Sequence, residues 1–173
     1  MMTASARFVT LTQGEFHATR DPVVLSTVLG SCVAVCLHDP ESGVGGMNHF
    51  LLPDGGKSLD ARSDRYGVNA MEQLINALLR LGARRGALVA KAFGGANMSP
   101  RLAPIGDGNA RFARQFLATE GINCIAESFG GTNARRVHFW PQTGKAQQMI
   151  VPGNVDEPTV PVEPLFRPNV TLF

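Results

Sequence analysis

Residues 32–38, CVAVCLH, form a near-continuous apolar run that stops at Asp39-Pro40-Glu41-Ser42-Gly43. A run of that length, opened after the turn-prone Gly30-Ser31 and closed by turn-forming residues, reads as a β-strand. Residues 44–52 return as a second strand, and Pro53-Asp54-Gly55-Gly56 ends it. The two make a β-hairpin, to which the rest of the chain must be fitted.

Elsewhere the period of the apolar positions assigns the elements. Residues 7–19 carry β-formers in partial alternation and predict one or two short strands, with another over 23–28. Over 65–81 the period changes. Met71, Leu74, Ile75, Leu78 and Leu81 follow helical spacing, with Asp64 as the cap and Gly82 as the stop. A strand over 87–93 runs into Gly94-Gly95. A shorter helix over 109–119 turns Phe112, Phe116 and Leu117 inward and closes at Gly121. Three strands follow at 122–129, 136–140 and 145–151. Gly-Gly-x-Asn occurs at 45–48, 94–97 and 130–133. The glycines read as turns able to present bare N–H groups, and none matches a P-loop or dinucleotide fingerprint.

At 173 residues the chain suits one domain, placed at 1–151. Residues 152–173 contain prolines at 152, 158, 161, 164 and 168, which neither pair in a central strand nor continue a helix. They read as an extended, poorly ordered tail, favoured as one without a role over one docked through Leu165-Phe166. A net charge of +2 is too small to point to nucleic acid. The doublets Arg84-Arg85 and Arg135-Arg136 read as solvated surface. No basic-then-apolar leader opens the chain, and no apolar stretch approaches the roughly 20 residues that span a bilayer, so a cytoplasmic protein without membrane insertion is expected. Three cysteines do not pair off. Cys32 and Cys36 lie four strand steps apart, roughly 13 Å, too far for a disulfide. Their spacing also misses the zinc patterns, and no metal is expected.

Cys36, between Val35 and Leu37, and Cys124, between Asn123 and Ile125, lie in predicted strands and read as small buried hydrophobes. Cys32 differs. It opens its strand straight after Leu29-Gly30-Ser31, where a turn leaves the N–H groups of Ser31 and Cys32 free to hold an oxyanion. If the turn is 39–42, residues 38 and 43 close it and Cys32 faces His49 across the ladder. Opposed Cβ atoms stand about 4.5–5.5 Å apart, near enough for a thiolate–imidazolium pair. A five-residue turn would put Phe50 there instead. His38 is six strand steps away, roughly 20 Å, and is excluded as the base; His17 and His138 stay unplaced. For a third group that orients the imidazole, Asp39 and Asp54 sit at the wrong places. Ser26 and Thr27 point to opposite faces, so one hydroxyl serves at most.

Ser-Thr-Val-Leu-Gly-Ser-Cys-Val-Ala-Val-Cys-Leu at 26–37 and Gly-Gly-Met-Asn-His-Phe-Leu-Leu-Pro at 45–53 resemble the CheD family of chemoreceptor glutamine deamidases. The similarity continues through Arg65-Tyr66, 90–96 (AKAFGGA), Ile105-Gly106, and Gly130-Gly131 to Arg136-Val137. It implies an α+β fold, a three-layer α/β sandwich with mixed, mostly antiparallel sheets and two main helices, as in deamidating toxins. It also implies hydrolysis of selected glutamines on methyl-accepting chemotaxis receptors to glutamate and ammonia, a protein-glutamine glutaminase activity without a cofactor. The family's cysteine and histidine map onto Cys32 and His49. Its threonine falls on Ser26 in an ungapped reading, while Thr27 next to it is preferred on residue type. Similar proteins bind a CheC-type phosphatase. Two other readings stand beside the deamidase: a weakly catalytic or non-catalytic binding module for receptors or a phosphatase, and a receptor methylesterase.

Overall fold

Every residue of β4 (Val33–Asp39) is buried, which accounts for its unbroken apolar sequence. Val33, Val35 and Leu37 pack into one core, while Ala34 and Cys36 pack into another on the opposite face. A central strand covered on both sides has no polar face to show. The computed structural model describes residues 5–53, 61–99, 101, 104–152 and 170–173.

Among the described residues, ten strands form two five-stranded sheets. The first has the order β1 (Arg7–Thr10), β3 (Val23–Leu29), β8 (Ala134–Trp140), β9 (Lys145–Val151) and β10 (Val170–Leu172). The second has the order β2 (Phe16–Thr19), β5 (Val44–Asn48), β4, β6 (Val89–Gly94) and β7 (Asn123–Phe129). Only the outer pairs β1–β3 and β6–β7 are parallel. The sheets meet over Leu25, Leu29, Cys36, Met47, Phe93 and Val137. The second sheet's other face carries α1 (Ala61–Arg80) and α2 (Ile105–Thr119) over Met71, Leu74, Ile75, Leu78 and Leu117. The layers therefore run sheet, sheet, helices, and the α+β sandwich expected from the sequence holds.

The hairpin register departs from the sequence reading. Asp39 pairs with Val44 and Cys36 with Met47, so the turn occupies 40–43 and not 39–42. Asp39 decides this. Its Oδ1 accepts the Glu41 N–H at 2.9 Å and its carbonyl accepts the Gly43 N–H at 3.0 Å, with Gly43 at φ +69°. Such an Asx turn holds Asp39 in the ladder as the closing residue. The strand glycines follow from close packing. A Cβ on Gly45 would lie 2.4 Å from Pro141 O, and one on Gly46 2.5 Å from His17 O.

Both helices begin four residues before their predicted starts. Asp64 therefore lies in the first turn of α1, where an acid suits the helix dipole, and is not the cap. Gly82, at φ +105°, ends α1 as expected, with Ala83 N–H returning to Leu78 O. Helix α2 includes Gly106, where a Cβ would lie 2.4 Å from both Gly95 O and Ala96 O; packing outweighs the low helix propensity of glycine. At the C-terminus, β10 pairs with β9, and the Phe173 ring meets Phe93 with centroids 5.2 Å apart. The end of the tail is thus part of the first sheet; Leu165-Phe166 and Asp54 lie outside the described residues. Arg135 also departs from the solvated surface expected of its doublet. It is 3% exposed, and its guanidinium bonds Ser128 O, Gly130 O and Gln148 Oε1.

Candidate active site

Three carbonyls around the nucleophile candidate are tied down in succession. Gly30 O accepts from Ala96 N–H at 3.0 Å, Ser31 O from Asn109 Nδ2 at 2.8 Å, and Cys32 O from Gly95 N–H at 2.8 Å. In a planar trans peptide the N–H points opposite its carbonyl. The anchors on Gly30 O and Ser31 O therefore aim the Ser31 N–H away from Ala96 and the Cys32 N–H away from Asn109 of α2. Gly94 makes this possible. It sits at φ +113°, and a Cβ there would lie 2.2 Å from Cys32 O. The third Gly-Gly turn braces the second, through Gly130 N–H to Gly94 O and Asn97 N–H to Gly131 O, each at 3.0 Å. Two of the three repeated motifs thus stand beside the nucleophile turn, while Gly45-Gly46 lie in β5 near the hairpin turn.

Val33 bridges Phe50, which continues the hairpin register and sets Ala34, not Cys32, opposite His49. The residue facing His49 is thus two positions from the expected one, on the same face, and Cys32 and His49 are diagonal neighbours. Because each strand alternates faces, Cys32, Ala34 and Cys36 share one side with Met47 and His49. Diagonal pairs lie about 7–8 Å apart at Cα, within reach of an imidazole. No hydrogen bond joins Sγ to the ring here; the thiol's S–H faces Gln13 Oε1 at 4.0 Å.

The imidazole is oriented from the opposing sheet. Thr27 Oγ1 lies 2.7 Å from His49 Nδ1 and donates its own proton to Leu11 O at 2.8 Å. A hydroxyl whose proton is committed to a carbonyl has only lone pairs left for a neighbour. Nδ1 must then be the protonated nitrogen, and Nε2 is left as a free base. Thr27 is buried between the sheets; Ser26 points the other way, paired with His138 on β8. His17 stands on β2 opposite Met47. His38 lies at the far end of β4, its Nδ1 bonded to Pro141 O at 2.8 Å.

Burial raises the Cys32 thiol above its ordinary value, partly offset by its own main-chain N–H. Burial also lowers His49, partly offset by the Glu15 carboxylate and the Leu11 carbonyl. Both shifts favour the uncharged forms, thiol and imidazole. Cys36 is fully buried and its thiol pushed far up, as for an inert core cysteine. Cys124 is half-buried on the edge strand β7 and bonds Ala126 O. A cleft of about 160 Å³ adjoins His49, Glu15, Tyr66, Asn69 and Gln73; Cys32 is not among its walls.

Gln13, Glu15 and Asn109 were absent from the sequence reading. Their roles come from contacts across distant segments, and no local spacing marks them. Among the described residues no group of three or more His, Cys, Asp or Glu could hold a metal ion, and no helix is long and apolar enough to cross a membrane.

A family model described as CheD chemotactic sensory transduction matches residues 51–149. A protein of Caulobacter vibrioides named "Probable chemoreceptor glutamine deamidase CheD" is 54% identical, over 95% of this chain and 92% of its own. Proteins of the same name from Rhizobium meliloti and Cereibacter sphaeroides are 53% and 55% identical, covering 87% and 91% of this chain and 84% and 78% of theirs. Among solved structures, that of the Bacillus licheniformis hypothetical protein YfiH aligns over 73% of this chain and 60% of its own, with a TM-score of 0.45 and 16% identity.

Proposed function

This chain belongs to the CheD family, and on that premise we propose that it is a chemoreceptor glutamine deamidase acting through Cys32, His49 and Thr27. The observation that carries the mechanism is the Thr27–His49 contact at 2.7 Å, because it selects the tautomer with Nε2 unprotonated.

When a glutamine side chain enters, the thiol turns from Gln13 toward His49. Nε2 takes the S–H proton as sulfur bonds to the carboxamide carbon, and the C=O electron pair moves onto oxygen. The Cys32 N–H faces that oxygen because Asn109 holds the adjoining Ser31 carbonyl on the opposite side. As the tetrahedral adduct collapses, the C–N bond breaks and Nε2–H protonates the nitrogen, releasing ammonia. Water then attacks the thioester, giving its proton to Nε2. Collapse expels the sulfur, which is reprotonated, and leaves a glutamate. A neutral side chain on a receptor helix becomes an anion, which changes the helix-pair electrostatics that bias signalling.

A receptor substrate supports a reaction in the cytoplasm, on the methyl-accepting chemotaxis receptors. Family membership also supports a CheC-type phosphatase as a partner. A cytoplasmic receptor fragment incubated with the protein should show the mass gain of amide-to-acid conversion and release ammonia; methanol release would indicate ester cleavage. Cys32→Ala should abolish conversion, and Cys36→Ala should leave it unchanged. Full activity in Cys32→Ala removes the thiol mechanism.

A further inference from the structure

Gln13 lies in the connection between β1 and β2, with its side-chain amide against the Cys32 thiol, Oε1 to Sγ 4.0 Å. The main chain on both sides of it is pinned. Leu11 N–H donates to Ser26 O and Gly14 N–H to His49 O, both at 2.8 Å, and His49 N–H donates to Glu15 O at 3.0 Å. The loop also closes on itself, through Thr12 N–H to Glu15 Oε1 at 2.8 Å and Glu15 N–H to Thr12 O at 3.0 Å. A side chain carried on such a loop is preorganised relative to the thiol even though it is exposed to solvent.

Attack on a carboxamide leaves negative charge on an oxygen bonded to the same carbon that sulfur has joined. Donors to that oxygen must come within about 2.7–3.1 Å of it, and so stand just beyond contact distance of Sγ. Gln13 occupies such a position. Its amide carries two N–H donors beside its oxygen, and a half-turn exchanges one for the other. It is also uncharged, so it does not oppose the forming anion as a carboxylate would.

Resting on the reading of Cys32 as nucleophile, we propose that the Gln13 side-chain amide is the second oxyanion donor, complementing the Cys32 N–H. While the thiol is protonated, Oε1 faces the S–H. Once that proton has passed to His49, the amide turns and Nε2–H bonds the substrate oxygen. No group is consumed, and the amide returns to its first position when the thioester is cleared.

The test is ammonia release from a receptor cytoplasmic fragment by Gln13→Ala and Gln13→Glu. Removing one oxyanion donor costs about 10²–10³ in kcat where the donor is fully enclosed. For this exposed amide, Gln13→Ala should lower kcat about tenfold to a hundredfold with KM little changed, and Gln13→Glu should lower it further. Iodoacetamide alkylation of Cys32 forms no oxyanion, so its rate in Gln13→Ala should equal that of the parent. The loop's anchors are mostly main-chain groups and persist in both variants. An unchanged kcat overturns the proposal, as does a parallel loss of alkylation and deamidation, which would make Gln13 a mere support for the loop. Conversion of Gln13 itself to glutamate in the parent protein overturns it too, since the residue would then be a substrate. Activity surviving in Cys32→Ala is a separate result that removes the nucleophile.

Discussion

Asn109, buried at the start of α2, donates from Nδ2 to the Ser31 carbonyl at 2.8 Å and accepts the Leu52 N–H on Oδ1 at 3.0 Å. One side chain thus bonds the turn before Cys32 and the segment after His49. Cys32 and His49, the proposed nucleophile and base, flank the paired ends of two different strands, and α2 bonds the segments beside both.

Asn109→Ala should cost about 2–4 kcal/mol of stability, because it leaves two buried main-chain groups without partners. It should also lower kcat at least tenfold by freeing the peptide that aims the Cys32 N–H. Asn109→Asp keeps an acceptor for Leu52 but sets oxygen against the Ser31 carbonyl. It should therefore lose activity, and its buried carboxylate should cost at least as much stability. Urea midpoints and kcat measured on both variants test this; full activity in Asn109→Ala excludes the positioning role.

Thr27→Val preserves shape and removes the oxygen that accepts from Nδ1. Leaving that N–H unpaired in a buried site costs about 1–3 kcal/mol, and the tautomer is no longer selected. A fall in kcat of about tenfold to a hundredfold is expected. Thr27→Ser should restore most of it, while Ser26→Ala, on the other face of β3, should behave as the parent. Equal effects at both positions would argue against the assignment to Thr27.

The pH dependence should report on Glu15. The proposed mechanism needs the neutral imidazole, so activity should rise with pH through the His49 pKa, which burial holds below the ordinary histidine value. The Glu15 carboxylate favours the imidazolium and raises that pKa. Removing its charge in Glu15→Gln lowers the pKa further, and the acid limb of the kcat profile should move to lower pH. A limb that stays put, or moves upward, contradicts the coupling.

The C-terminal residues should contribute to stability. Phe173 exchanges main-chain hydrogen bonds with Ala146 at 2.7 and 3.0 Å and sets its ring on Phe93. Phe173→Ala should cost about 1–2 kcal/mol, in line with a partly buried aromatic. Thermal unfolding measures it, and an unchanged midpoint would mean that the chain end adds nothing to the sheet.

The apolar run at 32–38, the helical spacing from Met71 to Leu78 and the glycine stops at 82 and 121 each prescribe local structure, because strand and helix periods are properties of neighbouring residues. They were legible along the chain, as was the turn that leaves Cys32 at a strand mouth. The hairpin's closing residue was not. It depends on Asp39, whose bonds to its own turn keep it in the ladder, and this moves the residue facing His49 by two positions, from Cys32 to Ala34. The hydroxyl beside His49 depends on which face of β3 meets the second sheet, and so on sheet stacking. Gln13, Glu15 and Asn109 gain their places through hydrogen bonds to segments remote in sequence, and no period encodes such bonds. The order of residues determined the elements and supplied a thiol and an imidazole. Only the stacking of two sheets and a helix decided the tautomer, the direction of the amide protons and the charge state of the pair, because each of these is set by groups that meet through folding.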